Sequence, residues 1–324
     1  MRKKELLSSR KKRDGTNPRK LAKLTPVVQT RLSMFVPTPS DAVSEASGCF
    51  PSPTIRLACW SIGGLGKCMG NEVFQRFLDR PEVDVLGLTD TKLHESTVRD
   101  FKPLLAAKYP YVYFACSVDK KGYGGVAILS KVEPKTITPG MAQMEFDCEG
   151  RIITAEYEHF FLVICNTPSS GLGLGRLHYR TREWDGAFKA YMAMLATKGK
   201  GIICLGVLNV VHQDIDICEK DRHIRDVPGT TVAERNSFGK LLGDTLVDSY
   251  RRLHPTQMQF SWFRNEVEWR RNQGRRLDYA LVSADYHSLV QESIIYDRVR
   301  ASEHCPIEVL VANQPKPKLK PAVV

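Results

Sequence analysis

The sequence predicts an α/β fold in which antiparallel sheets are covered by helices, and three observations support this prediction. From residue 55 onward, short apolar runs alternate with polar loops, as is typical of strands. Three longer segments have the spacing of amphipathic helices. The strands outnumber the helices, and many successive strands lie close together along the chain, which favours antiparallel pairing.

The expected elements follow in chain order. Strands are predicted at residues 56–60, 83–88, 125–129, 152–157, 160–165, 202–205, 278–282 and 307–311. Helices are predicted at residues 72–78, 182–195 and 231–242. Thr231 and Glu234 form a capping box, which marks the start of the third helix. With 42% hydrophobic residues, the 324-residue chain can bury a substantial core.

The two ends of the chain are predicted to be disordered tails around one domain at residues 51–313. Residues 1–50 are rich in Lys, Arg, Ser, Thr and Pro and have no helical or strand period, and residues 314–324 form a second, short tail. The net charge is +11, and residues 1–48 carry 11 Lys and Arg against 4 Asp and Glu. The basic tail, more than the domain, is therefore expected to seek nucleic acid.

Two short motifs lie in the basic tail. The cluster Arg10-Lys11-Lys12-Arg13 predicts a nuclear localisation signal, with a mitochondrial presequence as the alternative. Gln29, Leu32 and Phe35 have the spacing of the peptide that docks on the sliding clamp PCNA, with a chance match in a Ser/Thr-rich tail as the alternative. Val36 replaces the usual second aromatic residue, so the expected anchoring is weak.

Cysteine spacing and hydropathy exclude several classes of protein. The nine cysteines include no C-x-x-C pair, which argues against a disulfide framework or a zinc site and favours small buried residues in a reducing compartment. No apolar run reaches the length of about 18 residues that a membrane span needs. We expect a monomer without a signal peptide.

Several polar residues are candidates for phosphodiester hydrolysis, which needs a hard cation, a group that positions water and a group that stabilises charge. They are Asp90, Asn209, Asp278, Glu303 and His304. Each has a structural explanation on its own, since an aspartate can cap a turn or pair with arginine and a lone histidine is usually structural. Their joint order and spacing nevertheless favour a catalytic constellation.

Residues 55–311 resemble the exonuclease III-type class II apurinic/apyrimidinic (AP) endonucleases of the endonuclease/exonuclease/phosphatase superfamily. The resemblance rests on these segments: Trp60-Ser61-Ile62-Gly63-Gly64-Leu65, Gly122-Tyr123-Gly124-Gly125-Val126, Glu149-Gly150-Arg151, Arg176-Leu177-His178-Tyr179-Arg180, Gly206-Val207-Leu208-Asn209 and Arg276-Leu277-Asp278-Tyr279. It implies a four-layer αββα sandwich of two sheets flanked by helices. It also implies a Mg²⁺-dependent phosphodiesterase that acts on DNA in repair.

The same comparison implies losses in the active site. Val207 stands where the family has the aspartate that activates or orients water, and a valine can neither accept a proton nor hold a metal. Asp90 replaces a metal-binding glutamate and is one methylene shorter. Glu303 takes the place of the aspartate that orients the histidine and is a weak second candidate for the metal. Losing a general base usually lowers a rate by about 10² to 10⁴.

Other family positions are partly retained. Asn209, Asp278 and His304 remain as the surviving catalytic candidates. The candidates for phosphate or DNA binding in the same region are Ser61, Tyr123, Arg151, Asn166 and Ser169, of which Ser61, Asn166 and Ser169 replace the family's Asn, Tyr and Asn. Val207→Asp is expected to raise nuclease activity if the rest of this frame is sound. Asp214 and Asp216 are the nearest carboxylates that could substitute for the missing one.

The features that would face DNA are also altered. Arg275 replaces the tryptophan of the family's abasic pocket, and Leu172 replaces an intercalating arginine. The loop around Arg275 includes Arg270, Arg271, Trp262 and Trp269, which favours general contact with a nucleic-acid backbone. The alternative is a solvated face in which these arginines pair with Glu266 and Glu268.

Three hypotheses about function follow. The first is a nuclear protein of DNA repair that has the AP endonuclease fold and binds DNA or repair partners with little or no hydrolysis; it needs no cofactor. The second is an impaired Mg²⁺-dependent endonuclease or 3′ exonuclease that uses Asp90, Asn209, Asp278 and His304. The third is a PCNA-tethered scaffold without DNA contact of its own.

Overall fold

The computed structural model describes residues 48–315 and residue 317. The basic cluster at Arg10–Arg13, the clamp-docking candidates Gln29, Leu32 and Phe35, and most of the C-terminal tail lie outside the described residues. Gly48 to Phe50, which the sequence assigns to the tail, pack on the domain, because Phe50 is buried against Tyr157 and Phe160.

Twelve strands form two six-stranded sheets. In chain order they are β1 (Thr54–Ser61), β2 (Val85–Thr89), β3 (Tyr111–Ala115), β4 (Val126–Ser130), β5 (Thr136–Pro139), β6 (Ile152–Glu156), β7 (Phe160–Asn166), β8 (Gly201–Val207), β9 (Leu246–Asp248), β10 (Asp278–Ser283), β11 (Val290–Ile295) and β12 (Ile307–Ala312). The first sheet has the order β11-β12-β1-β2-β4-β3, and the second has the order β5-β6-β7-β8-β10-β9.

Both sheets are mixed, which corrects the expectation of purely antiparallel pairing. β1 pairs in parallel with β2, and β7 pairs in parallel with β8, while the remaining pairs are antiparallel. A parallel pair needs a crossover of a dozen or more residues, usually helical. The predicted helices 72–78 and 182–195 fall in these two crossovers.

The helices flank the sheets and confirm the four-layer arrangement. In chain order they are α1 (Leu65–Cys68), α2 (Glu72–Leu78), α3 (Glu95–Ala106), α4 (Met144–Asp147), α5 (Asp185–Ala196), α6 (Val232–Leu242), α7 (Ser249–Leu253) and α8 (Glu266–Arg270). Asn71 caps α2 by accepting from two backbone N–H groups, and the Thr231 capping box starts α6 as predicted. A π-helix at Tyr179–Trp184 leads into α5.

Three apolar layers hold the sandwich together. The inner faces of both sheets meet in a buried cluster that includes Leu57 and Val85 from one sheet and Leu162 and Ile203 from the other. Phe74 and Phe77 of α2 cover the outer face of the first sheet. The outer face of the second sheet is covered by α5 and α6, whose buried side chains include Phe188, Tyr191, Leu195, Phe238 and Leu241.

Several elements have weak signals in the sequence. The helix α3 is missed because its residues are mostly exposed and it contains Pro103. β11 is missed because it exposes Gln291 and Glu292 and contains an irregularity in its pairing with β12. The nine cysteines are free thiols, as expected, and six of them are buried. No described helix combines the length and the hydropathy needed to cross a membrane.

Candidate active site

The predicted site residues meet at one edge of the sandwich because several strands end there. β1 ends at Ser61, β7 at Asn166 and β8 at Val207, and Asp90 directly follows β2. β10 runs antiparallel to β8, so its first residue, Asp278, lies opposite Val207. His304 precedes β12, which runs antiparallel to β1, and this places the histidine beside the end of β1.

A cleft of about 290 Å³ opens at this edge. It is lined by Ser61, Asp90, Tyr123, Arg151, Asn166, Ser169, Gly171, Arg176, Val207, Asn209 and His304. Nine of these residues are predicted by the sequence, and the fold brings them together from loops and strand ends on both sheets. Arg176 lies in a segment that carried the family resemblance, but the sequence did not identify it as a site residue.

Val207 lies on the cleft lining and is the middle residue of three that are side by side on neighbouring strands. Its neighbour on β7 is Asn166, and its neighbour on β10 is Asp278. Only 2% of Val207 is exposed, so its isopropyl group is packed and does not project into solvent. Gly206 allows this close approach of β8 to β7, because a Cβ atom there would lie 1.9 Å from the carbonyl oxygen of Cys165.

Two of the surviving catalytic candidates, Asp278 and His304, form a hydrogen-bonded pair. Nδ1 of His304 lies 2.8 Å from Oδ2 of Asp278 and 3.0 Å from Oδ1. The buried hydroxyl of Ser261 donates to Oδ2 of the same carboxylate at 2.6 Å. Trp60 Nε1 donates to the carbonyl oxygen of His304 at 2.9 Å. This arrangement directs Nε2, the other ring nitrogen, away from Asp278.

The pKa of His304 is raised above its usual value. Burial lowers the pKa, but the negative charge of Asp278 and its hydrogen bond raise it more, and the charges of Asp90 and Glu303 add to this effect. Because the pKa is raised in the folded state, the stabilising contribution of this pair has its full value at pH values below the unfolded-state pKa of about 6.5. This contribution is lost as the pH rises through the folded-state pKa.

We therefore expect His304→Gln to destabilise the protein more at about pH 6 than at about pH 8.5, because the stabilisation by the charged histidine is lost as the pH rises through its raised folded-state pKa. Urea unfolding of both proteins across this range measures the difference. A destabilisation that is constant or grows with pH would contradict a raised pKa. His178→Gln is the control, since 81% of the His178 side chain is exposed on the surface.

Asn209 is held in the cleft by its backbone neighbours. It has a φ of 50°, and its side-chain nitrogen donates to the carbonyl oxygen of Thr167 at 2.7 Å. The preceding carbonyl, that of Leu208, accepts a hydrogen bond from the buried guanidinium of Arg180. Arg180 thus supports the turn that carries Asn209, a role that the sequence did not predict.

Asp90 is the one carboxylate on the cleft lining, and it is already paired with an ammonium group. Its Oδ2 lies 3.1 Å from Nζ of Lys92. Magnesium requires near-ideal octahedral geometry and usually binds through one or two carboxylates. Within residues 48–315 and 317, no group of three or more His, Cys, Asp and Glu side chains could hold a metal ion. The residues present therefore do not fit the implied Mg²⁺.

A cationic cluster forms one wall of the cleft. Glu149 is paired with Nε of Arg151 and, at 2.9 Å, with Nη2 of Arg176. Both guanidinium groups also donate to the hydroxyl oxygen of Tyr123, at 2.7 Å from Arg151 and 3.1 Å from Arg176. Tyr123 and Arg151 are the two residues of this cluster that the sequence predicts to bind phosphate. Arg176 extends the cluster through its bonds to Tyr123 and Glu149.

Glu303 does not line the cleft, which is a correction to its place among the candidate ligands. Its side chain turns toward Trp262, whose Nε1 lies 3.4 Å from Oε2 of Glu303. Asp278, and not Glu303, contacts the histidine ring. The reason is geometric, because the Glu303 carboxylate lies beside the Trp262 indole while the His304 ring lies beside Asp278.

The positive charge of the arginine-rich loop around Arg275 is partly neutralised by a glutamate of α8. Arg270 pairs with Glu266 at 3.0 Å, as the alternative of a solvated face predicted. Arg275 is buried, with its guanidinium 5.5 Å from the centre of the Trp262 ring, and burial lowers its pKa. Arg271 is exposed and has no ion pair within the described part of the chain. None of the three lines the cleft.

Neither of the two nearby aspartates substitutes for the missing carboxylate. Asp216 is fully buried and accepts from Arg251 at 2.6 Å and from Arg276 at 2.8 Å. Asp214 is on the surface, where it pairs with Arg225 and Arg235. Both carboxylates are neutralised by arginines outside the cleft lining. Neither therefore replaces the carboxylate that is missing at residue 207.

Comparisons with known proteins agree with this architecture. A family model described as the endonuclease/exonuclease/phosphatase family matches residues 62–304. The chain is 35% identical over 259 residues to an exodeoxyribonuclease of Bacillus subtilis (strain 168), covering 79% of this chain and 99% of that protein. It is 36% identical over 261 residues to the DNA repair nuclease APEX1 of Danio rerio, covering 80% and 82%.

A solved structure supports the same relationship. The crystal structure of the AP endonuclease LMAP from Leishmania major superposes with a TM-score of 0.71 at 27% identity, covering 81% of this chain and 89% of that chain. The resemblance found in the sequence is therefore confirmed. This chain belongs to the endonuclease/exonuclease/phosphatase family, among the relatives of exonuclease III and the AP endonucleases.

Proposed function

We propose that this chain binds DNA as a repair protein of the AP endonuclease type that hydrolyses phosphodiesters slowly or not at all. One observation carries the proposal: buried Val207 lies on the cleft lining, between Asn166 and Asp278 on the neighbouring strands. Hydrolysis needs a group there that can hold or deprotonate water, and an isopropyl group can do neither.

The size of the expected loss supports this reading. Removing a general base typically lowers a rate by about 10² to 10⁴, and losing one transition-state hydrogen bond lowers it by about 10² to 10³. These losses are not additive within one catalytic unit. Even the first of them alone lowers an ordinary turnover of about 10 s⁻¹ to about 10⁻¹ to 10⁻³ s⁻¹.

DNA is the proposed ligand because the cleft offers cationic donors and because the relatives are named as DNA nucleases and AP endonucleases. Arg176 on the cleft lining and Lys92 beside Asp90 keep 36% and 43% of their side chains exposed. Such contacts make binding strongly salt dependent. We expect retention on DNA to fall steeply with added salt, whereas a scaffold without DNA contact would fail to be retained at any salt concentration.

A nicking assay tests the proposal directly. The purified full chain is incubated with supercoiled DNA and with an oligonucleotide duplex containing one abasic site, in the presence of Mg²⁺ or Mn²⁺. We expect a rate within about tenfold of that of His304→Ala, because the variant removes a group that can act only in a working site. Turnover more than about 100-fold above that variant would contradict the proposal.

The second candidate function is residual DNA endonuclease or 3′ exonuclease activity. The observation that favours it is the hydrogen-bonded pair of Asp278 and His304, which lies beside Asn209 in the same cleft. A histidine oriented in this way can stabilise charge on a phosphate oxygen. The same nicking assay decides between the candidates, since residual activity must disappear with the imidazole.

A further inference from the structure

We infer that the cleft binds a phosphate diester group through side-chain cations alone, with Lys92 occupying the place of a divalent cation beside Asp90. The inference rests on the proposed DNA binding and specifies how the cleft achieves it. It follows from the disagreement between the metal that the family implies and the groups that surround the cleft.

Each carboxylate at the cleft already has a cationic partner within the protein. Asp90 pairs with Lys92 at 3.1 Å, and Asp278 pairs with His304 at 2.8 Å. Glu149 is shared by two arginines, Arg151 and Arg176. A divalent cation would have to displace an ammonium or guanidinium group from one of these carboxylates. An anion meets no such competition, because the donors around the cleft outnumber the carboxylates that they neutralise.

The Asp90 and Lys92 pair is held in place by the backbone. Both residues have a φ of 55°, a left-handed conformation that residues with a Cβ atom rarely adopt. Thr91, between them, donates to the carbonyl of Gly125 at 3.0 Å, and its own carbonyl accepts from Leu65 N–H at 2.8 Å. The strained turn is thus clamped from both sides, which holds Asp90 on the cleft lining with the ammonium group of Lys92 beside it.

Tyr123 supplies a hydrogen-bond donor that suits an anion. Its hydroxyl oxygen accepts N–H groups from Arg151 and from Arg176, and these two bonds use both of its lone pairs. The hydroxyl proton is then left to donate, and Tyr123 lines the cleft. Together with the ammonium group of Lys92, this gives a site of donors that matches phosphate oxygens.

The test measures DNA affinity of the full chain with and without divalent cations. A fluorescent duplex oligonucleotide is titrated in about 1 mM EDTA and in about 1 mM Mg²⁺, and we expect an affinity in EDTA at least as high as in Mg²⁺, because Mg²⁺ only competes for the phosphates. Lys92→Met should lower the affinity in EDTA by about three- to tenfold and reduce the slope of log affinity against log salt by about one. Lys102→Met, at an exposed position of α3, is the matched control and should change neither quantity.

A calorimetric titration of the DNA-free chain with Mg²⁺ is the second measurement. We expect no saturable binding up to about 1 mM in the unaltered chain, since Asp90 is already neutralised. Saturable binding below that concentration, or a DNA affinity that falls more than about tenfold in EDTA, would overturn the inference. Saturable Mg²⁺ binding or a loss of DNA affinity in EDTA would leave the proposed function standing. The proposed function is overturned by cleavage of the DNA or by failure to bind it.

Discussion

Replacing Arg276 with methionine is expected to lower the free energy of unfolding by about 3–5 kcal/mol. The guanidinium is fully buried and donates to Asp216 at 2.8 Å and to both oxygens of Asp248, at 3.0 Å and 2.7 Å. Methionine fills a similar volume but leaves buried Asp216 with Arg251 as its remaining guanidinium partner, and leaves buried Asp248 with the backbone N–H of Arg251. Breaking a buried ion pair from one side is costly because the remaining charge stays desolvated.

Urea unfolding of the two proteins measures this effect, and the same loop offers a control. Arg270 belongs to an exposed ion pair with Glu266, so Arg270→Met should change the free energy of unfolding by less than about 0.5 kcal/mol. If Arg276→Met cost no more than Arg270→Met, the buried network would not be stabilising the fold. The comparison matters for the site because this network holds Asp216, one of the two aspartates that the sequence offers as substitutes for the carboxylate missing at residue 207.

Val207→Asp is expected to lower the free energy of unfolding by about 2–4 kcal/mol at about pH 8. The new carboxylate would be buried and directly opposite Asp278 on the neighbouring strand, and like charges in such a pair repel. Burial and repulsion both raise the pKa of the introduced group. The destabilisation is therefore small near the unfolded-state pKa of about 3.9 and grows as the pH rises toward the folded-state pKa.

Val207→Asn separates the charge from the change in shape. The difference in unfolding free energy between the Asp and Asn variants should widen between about pH 5 and pH 8, as measured by urea unfolding. We also expect Val207→Asp to raise Mg²⁺-dependent nicking by no more than about tenfold, because Lys92 still neutralises Asp90. A gain of about 100-fold or more would mean that the site lacks only this one carboxylate.

The strongest local signals in the sequence predicted their elements well. The helix predicted at residues 72–78 matches α2, because Asn71 marks its start and Phe74, Phe77 and Leu78 supply one apolar face. The eight predicted strands all correspond to observed strands, because buried strands carry continuous apolar runs. β5 and β9 gave weaker signals because they are short, with four and three residues, and lie at the edges of the second sheet.

The candidate site was predictable to the extent that its residues belong to motifs. Nine residues of the cleft lining belong to segments that the sequence analysis names. The sequence makes Glu303 a weak metal candidate because it takes the place of a family aspartate, but a position in a motif does not decide which neighbour a side chain contacts, and Glu303 lies against Trp262. The sequence does not identify the roles of Lys92 and Arg176, because their motifs do not show that Lys92 pairs with Asp90 and Arg176 with Glu149.

By itself, the sequence determined the family, the main strands and helices, and the loss of a carboxylate at residue 207, because all three are written in local patterns of residue type. Only the tertiary structure decided how charges are shared: that Lys92 neutralises Asp90, that Arg276 holds Asp216 in the core, and that Glu303 faces Trp262. Electrostatic pairing depends on distances of a few ångströms between side chains that are remote in sequence. Those distances are set by the packing of the two sheets, which no local pattern specifies.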